Sequence, residues 1–128
     1  MHDVSGLHIL LVENGQVDQN SARKMLARMG LHADLATEKI EALKYLACRA
    51  YDIVLIDLET LGLDGLEIAR IVRESWMPAE QPYIIAMATH DLEYGKGACF
   101  NAGMDGFMRK PLIEEELEAA ILSRQGAL

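Results

Sequence analysis

The stretch "YDIVLID", residues 51–57, decides the fold. Its branched aliphatic residues run on without polar alternation, so both faces of the strand are apolar, and it ends on a carboxylate, Asp57. A strand of this kind is buried on both sides, as in parallel sheets that carry helices above and below. Two more runs fit the same description: "LHILLV" at 7–12 and "YIIAMA" at 83–88, the latter introduced by Pro82. "LHADLA" at 31–36 alternates as a strand, and "DGFMRK" at 105–110 makes a short fifth.

Between these strands lie amphipathic stretches. Residues 16–30 carry Val17, Ala22, Met25, Leu26 and Met29 near helical period and stop at Gly30, a natural C′ residue. "TEKIEALKYLACR" offers Thr37 as N-cap and a stripe of Ile40, Leu43, Leu46 and Ala47. "LETLGLDG" reads as a loop, followed by a helix over 66–75. A helix over 91–103 is weakened by Gly95 and Gly97, at roughly 1 kcal/mol each relative to alanine. After Pro111, "LIEEELEAAILSR" is amphipathic, and "SRQGAL" reads as a fraying tail. Five strand–helix pairs with right-handed crossovers predict an α/β fold, a doubly wound five-stranded parallel sheet.

Bulk properties narrow the function. The chain has 128 residues, 51% hydrophobic and 25% charged, which suits one soluble domain over 1–128 with a core at about 6–123. A net charge of −8 argues against direct nucleic-acid binding, which needs a basic face. No apolar run approaches the ~18 residues of a membrane span, and an acid near the N-terminus is unlike a secretory signal. Cys48 and Cys99 have no CxxC spacing, so reduced thiols and a cytoplasmic setting are expected. His2, His8, His32 and His90 have no metal spacing. The seven methionines read as core filler.

In doubly wound sheets, function gathers at the carboxyl ends of the strands. Here those ends carry Glu13–Asn14, Asp57, Ala88–Thr89–His90 and Arg109–Lys110–Pro111. Two carboxylates, an amide, a hydroxyl and a lysine thus share one edge. Such oxygen donors suit Mg²⁺, and the lysine can neutralise an anion beside it. "ENGQVDQN" is not a Gly-rich phosphate loop, so a nucleotide cofactor is poorly supported. Taken singly, Glu13 and Asp57 read more readily as loop or helix caps than as chemical groups, and Lys110 as an ordinary turn lysine.

The segments "ILLVEN", "EALKYLACRAYDIVLIDLETLGLDGLEIARIVR", "YIIAMATH" and "NAGMDGFMRKPL" together resemble the receiver domain of two-component response regulators, most like receivers of hybrid sensor histidine kinases. The resemblance runs over about residues 6–123. It implies a flavodoxin-like (βα)5 fold with strand order 2-1-3-4-5, and a signalling module rather than a conventional enzyme. It implies Asp57 as phosphoacceptor from a phosphohistidine, and Mg²⁺ held by Glu13, Asn14, Asp57 and the Glu59 backbone carbonyl. Lys110, before a cis proline bond, would contact the phosphoryl group. A Ser/Thr at the end of the fourth strand and the aromatic Phe107 would carry the switch. The implied partner is a histidine kinase or histidine phosphotransfer domain, with the chain cytoplasmic even where it is part of a membrane-bound hybrid kinase. A dimer is compatible with the same reading.

The departures fall at the site. Asn14 stands where an acid binds the metal, which should weaken Mg²⁺. Ala88 stands where the hydroxyl belongs, and Thr89 rescues it only if the strand end is bulged, since successive side chains point to opposite faces. Thr60 and Leu61 replace the usual methionine and proline. Two functions stay open: a phosphoacceptor at Asp57, or a degenerate module that regulates by docking without phosphorylation. Phe107 is switch in the first and core in the second. The basic patch Arg23, Lys24 and Arg28 is either a solvated face or a docking surface for an acidic partner.

Overall fold

A computed structural model describes residues 6–75, 81–89 and 95–124; His2, His90 and the tail beyond 124 lie outside them. Its elements are β1 (Ile9–Val12), α1 (Gln16–Arg28), β2 (Ala33–Ala36), α2 (Lys39–Cys48), β3 (Ile53–Asp57), α3 (Leu58–Leu61), α4 (Leu63–Ser75), β4 (Tyr83–Ala88), α5 (Gly95–Asn101), β5 (Gly106–Arg109) and α6 (Glu114–Ser123). The five strands form one parallel sheet, as the sequence pattern predicts, in the order β2-β1-β3-β4-β5 that the resemblance implies. No described helix is long and apolar enough to cross a membrane.

The two faces of "YDIVLID" go to two cores. Val54 and Ile56 join Leu10, Val12, Ile84 and Ala86 under α2, α4 and α5. Ile53 and Leu55 join Ile9, Leu11, Ile85 and Met87 under α1 and α6. All five residues of β3 are buried, which is why the run shows no alternation.

Several expectations are corrected. "LETL" is the short helix α3, not loop, because Asp57 caps it: its carboxylate accepts from the Glu59 backbone N–H. α4 therefore begins at Leu63 rather than 66. Thr37 is not the N-cap of α2. Glu38 holds that place, while Thr37 donates through its N–H and hydroxyl to the Glu41 carboxylate. Val17 and Ile40 are 78% and 53% exposed, so α1 and α2 bury narrower stripes, Ala22–Leu26 and Ala42–Leu46. Val17 and Ile40 each lie in the first turn of their helix. Gly30 has φ +79°, the left-handed stop expected of it.

Arg73 of α4 binds the sheet to the loop before β5. Its guanidinium donates to the carbonyls of Gly103 and Pro82 and to Gln81, and pairs with Asp105 at 2.6 Å. Gly103 has φ +106°, and a Cβ there would lie 2.4 Å from Arg73 Cγ.

Gly65 holds α4 close to the site. A Cβ on it would lie 2.5 Å from Leu58 Cδ2 and 3.1 Å from Ile56 Cγ2, and both neighbours are buried. Gly65→Ala should therefore destabilise: overpacking costs about 1–3 kcal/mol, against a helix-propensity gain of up to ~1 kcal/mol. Urea unfolding would show a lower midpoint. An unchanged or higher midpoint would mean that Leu58 yields at no cost.

Candidate functional site

The parallel register brings four strand ends to one edge. Val12 pairs with Ile56, Asp57 with Met87, and Ala88 with Arg109, so Glu13, Asp57, Thr89 and Lys110 follow in adjacent rows. Glu13 and Asp57 are 1% and 0% exposed, the two buried charged residues of the described chain. Buried carboxylates need partners, and the structure supplies them. Lys110 Nζ reaches Glu13 Oε1 at 3.1 Å, Asp57 Oδ1 at 3.3 Å and Asp18 Oδ2 at 2.6 Å. The Gly15 N–H donates to Glu13 Oε2, and Gln19 fixes the Glu13 carbonyl at 2.8 Å. Asp57 accepts from the Glu59 N–H at 3.0 Å on Oδ1 and from the Thr60 hydroxyl at 2.7 Å on Oδ2.

The two carboxylates divide one proton between them. Burial, then the hydrogen bond and negative charge of Asp57, push Glu13 up to about 7, with Lys110 opposing. Burial also pushes Asp57 up, but hydrogen bonds from Glu13, Thr60 and Glu59 and the charge of Lys110 outweigh it, leaving Asp57 below the usual carboxylate range. Burial pushes Lys110 down, and its contacts with Asp18, Glu13 and Asp57 more than reverse this, so it stays charged. At neutral pH the site therefore holds an ionised Asp57 facing a carboxyl that half retains its proton.

A pH dependence follows. The folded value of Glu13 lies above its ordinary 4.5, so the folded chain holds a proton that the unfolded chain releases. The stability from that proton is full below about 4.5 and is lost as pH rises to about 7. Without divalent metal, wild type should lose on the order of 5 °C in melting temperature across that window relative to Glu13→Gln. Parallel curves for the two proteins would contradict the shared proton. Asp57 titrates below the window and does not blur the comparison.

Of the residues singled out by sequence, Glu13, Asp57 and Lys110 are brought together, and the Lys110–Pro111 bond is cis. Asn14 is exposed and lines a shallow depression with Thr37, Glu38, Ile40, Glu41 and Lys44. Ala88 is fully buried. Thr89 donates its N–H and its hydroxyl to the Glu59 carboxylate. Glu59 meets Asp57 through its amide, and its carbonyl lies in the first turn of α3. Phe107 is half-buried against the core, with the Lys96 ammonium 5.1 Å from its ring centroid. Arg28 of the basic patch pairs with Glu114 at 2.6 Å, an exposed pair; Arg23 and Lys24 are solvated.

Asp18 and Thr60 join the site without any pattern in the sequence that singles them out as such. The nearest signals are their offsets: Asp18 falls in the first turn of the helix after Glu13, and Thr60 is three residues after a capping aspartate.

Among the described residues no three His, Cys, Asp or Glu side chains form a metal cluster. The donors at hand are the Glu13 and Asp57 carboxylates, with the Asn14 amide and the Glu59 carbonyl near them in sequence, all hard oxygens. They fit a divalent cation of the hard class, since a cation between Glu13 and Asp57 would take the place of the proton they share.

The comparisons agree with this architecture. The chain is 32% identical over 115 residues to the aerobic respiration control sensor protein ArcB of Escherichia coli (strain K12), covering 90% of this chain and 15% of that protein. It is 29% identical over 119 residues to hybrid signal transduction histidine kinase K of Dictyostelium discoideum, covering 88% and 10%. The chain therefore spans a small part of these relatives. Among solved structures, the receiver domain of sensor histidine kinase PA1611 from Pseudomonas aeruginosa PAO1, with a magnesium ion coordinated in its active-site cleft, superimposes with a TM-score of 0.82 at 29% identity, covering 94% of this chain and 98% of that one. The sequence profile of the response regulator receiver domain matches residues 9–122. With that profile spanning the whole sheet and every strand end of the site, the chain belongs to the response regulator receiver domain family of two-component systems.

Proposed function

We propose that Asp57 is the phosphoacceptor of this receiver, taking a phosphoryl group from the phosphohistidine of a histidine kinase or histidine phosphotransfer domain, with Mg²⁺ held at Glu13, Asp57, Asn14 and the Glu59 carbonyl. The observation that carries this reading is Asp57 itself: a fully buried carboxylate with Lys110 at 3.3 Å and the Glu59 N–H at 3.0 Å. Phosphoryl transfer asks the protein for position and charge stabilisation more than for covalent chemistry. An Asp57 oxygen bonds to phosphorus as the phosphorus–nitrogen bond breaks, and the imidazole leaves with its electron pair and is protonated by solvent. Lys110 supplies positive charge to the phosphoryl oxygens. Glu13, Asp57, Asn14 and the Glu59 carbonyl would hold Mg²⁺, which would supply further positive charge to those oxygens, with Glu13 in its ionised form.

The domain is a signalling phosphoacceptor and not a conventional enzyme; its own chemistry is limited to self-phosphorylation and autodephosphorylation at Asp57. We place it in the cytoplasm as one receiver domain of a phosphorelay, within a longer hybrid kinase where it occurs in one. Asn14 and Ala88 favour the docking-only alternative, but they touch affinity and switching rather than the nucleophile. The intact Glu13–Asp57–Lys110 cluster favours phosphorylation.

The test is incubation with acetyl phosphate, and separately with beryllofluoride, over a range of Mg²⁺ concentrations, read by peptide mass and NMR. An adduct at Asp57 is expected. Neither adduct nor spectral shift at high Mg²⁺ would sink the phosphoacceptor reading.

A further inference from the structure

The end of β4 offers Asp57 no hydroxyl. Ala88 has none, and the Thr89 hydroxyl is committed to Glu59. Yet a hydroxyl does reach the nucleophile. Thr60 Oγ1 donates to Asp57 Oδ2 at 2.7 Å, while the Glu59 N–H and Lys110 occupy Oδ1. Among the described residues, Thr60 supplies the hydroxyl that is hydrogen-bonded to Asp57.

Its position is set by one turn of helix. Asp57 is the N-cap of α3 and Thr60 its third residue, three positions apart and so neighbours on one side of the turn. Thr60 is exposed whereas Asp57 is buried, so the hydroxyl stands at the mouth through which a phosphoryl group must enter. A staggered rotation about its Cα–Cβ bond moves the hydroxyl without moving the backbone. A hydroxyl both donates and accepts, and once Asp57 is bonded to phosphorus its remaining oxygen is a neutral carbonyl, so an anionic phosphoryl oxygen is then the stronger acceptor.

We propose that Thr60 is the hydroxyl donor of this receiver's active site, holding Asp57 Oδ2 in the free protein and donating to a phosphoryl oxygen once Asp57 is modified. The loop after β3 thereby performs a task that β4 leaves undone. The inference rests on Asp57 being the phosphoacceptor. The plain alternative is that Thr60 only closes a capping box and steadies α3.

Thr60→Val keeps the shape and removes the hydroxyl; Thr60→Ser keeps the hydroxyl. Beryllofluoride affinity at saturating Mg²⁺, followed by NMR, should fall about tenfold in Thr60→Val, the worth of one hydrogen bond to a charged group. Thr60→Ser should stay within about twofold of wild type. Mg²⁺ affinity without beryllofluoride should change less in Thr60→Val than beryllofluoride affinity does, because in the free protein the hydroxyl touches one Asp57 oxygen only, whereas its proposed role is on the phosphoryl group. Equal beryllofluoride affinity in Thr60→Val and wild type would overturn the role. So would a serine variant as weak as valine, or a loss of Mg²⁺ affinity that matches the loss for beryllofluoride, since either marks a structural effect through α3. If wild type itself forms no adduct, the phosphoacceptor reading fails first and takes this inference with it.

Discussion

Lys110→Met is expected to destabilise the protein by about 3 kcal/mol at pH 8 without divalent metal, and to slow phosphorylation of Asp57 by 10²-fold or more, on the order of a lost transition-state donor. Lys110 is the one cation in contact with both buried carboxylates among the described residues. Its side chain is 7% exposed and touches Glu13, Asp18 and Asp57 at once. Methionine fills the same volume but leaves Glu13 and Asp57 facing each other with nothing to balance them. Breaking a buried ion pair from one side costs about 3–5 kcal/mol. The lower end applies because Glu13, already pushed up to about 7, can retain a proton and quench part of the repulsion. For the same reason the penalty should shrink as pH falls toward 6.

Added Mg²⁺ should stabilise Lys110→Met more than wild type, since it supplies the missing positive charge where the lysine has left it. Urea unfolding at pH 6 and 8, with and without Mg²⁺, reads all three effects. A variant as stable as wild type at pH 8 in chelator would show that the lysine is incidental to the carboxylates. Wild-type phosphorylation rates would remove it from the chemistry.

Asn14→Asp should tighten Mg²⁺ binding about tenfold to hundredfold, measured by calorimetry. Adding a formal charge beside a divalent cation is worth several kcal/mol by Coulomb's law at an effective dielectric near 20. Stripping water from the new carboxylate takes back part of that. Holding in one rotamer a side chain that is exposed here takes back up to ~1 kcal/mol more. The surplus leaves about 1.4–2.7 kcal/mol, which is the stated range. The new charge should also raise Glu13 further, so metal-free stability near neutral pH should decline. An unchanged Mg²⁺ affinity would mean that residue 14 faces the depression with Glu38 and Lys44 in the bound state as well, and that the missing charge is not what limits the metal.

Asp18 complicates a simple view of the site as one charge short. The carboxylate absent at position 14 has a counterpart one turn into α1, but it faces Lys110 rather than the donors that would hold a metal. The acidic count is kept while the charge has moved from the cation's side to the lysine's side.

How far the sequence reaches can be judged from particular residues. "YDIVLID" declares a doubly buried strand because burial on both faces removes the polar alternation, and the register of the sheet follows from its neighbours. Asp57 and Glu13 could be placed at the functional edge because strand ends in such sheets share one side. The helix that Asp57 caps is less legible than the cap itself. "LETLGLDG" contains two glycines and no long apolar stripe, so periodicity reads loop where a four-residue helix exists.

What the sequence by itself determined, then, is the order of strands and helices, the two-sided core and the edge at which the chemistry sits. These depend on local periodicity and on which residues leave water, and both are written along the chain. Tertiary structure alone decided which groups meet there. Lys110 and Glu13 are 97 residues apart in sequence and touch only because β1, β3, β4 and β5 are laid side by side. Thr89 is drawn to Glu59 and Thr60 to Asp57 by rotamer choice and by one turn of α3. A hydroxyl's partner is set by three-dimensional reach of about 3 Å; the spacing of Thr60 from Asp57 hints at its partner, but Thr89 lies 30 residues from Glu59, which no spacing along the chain encodes.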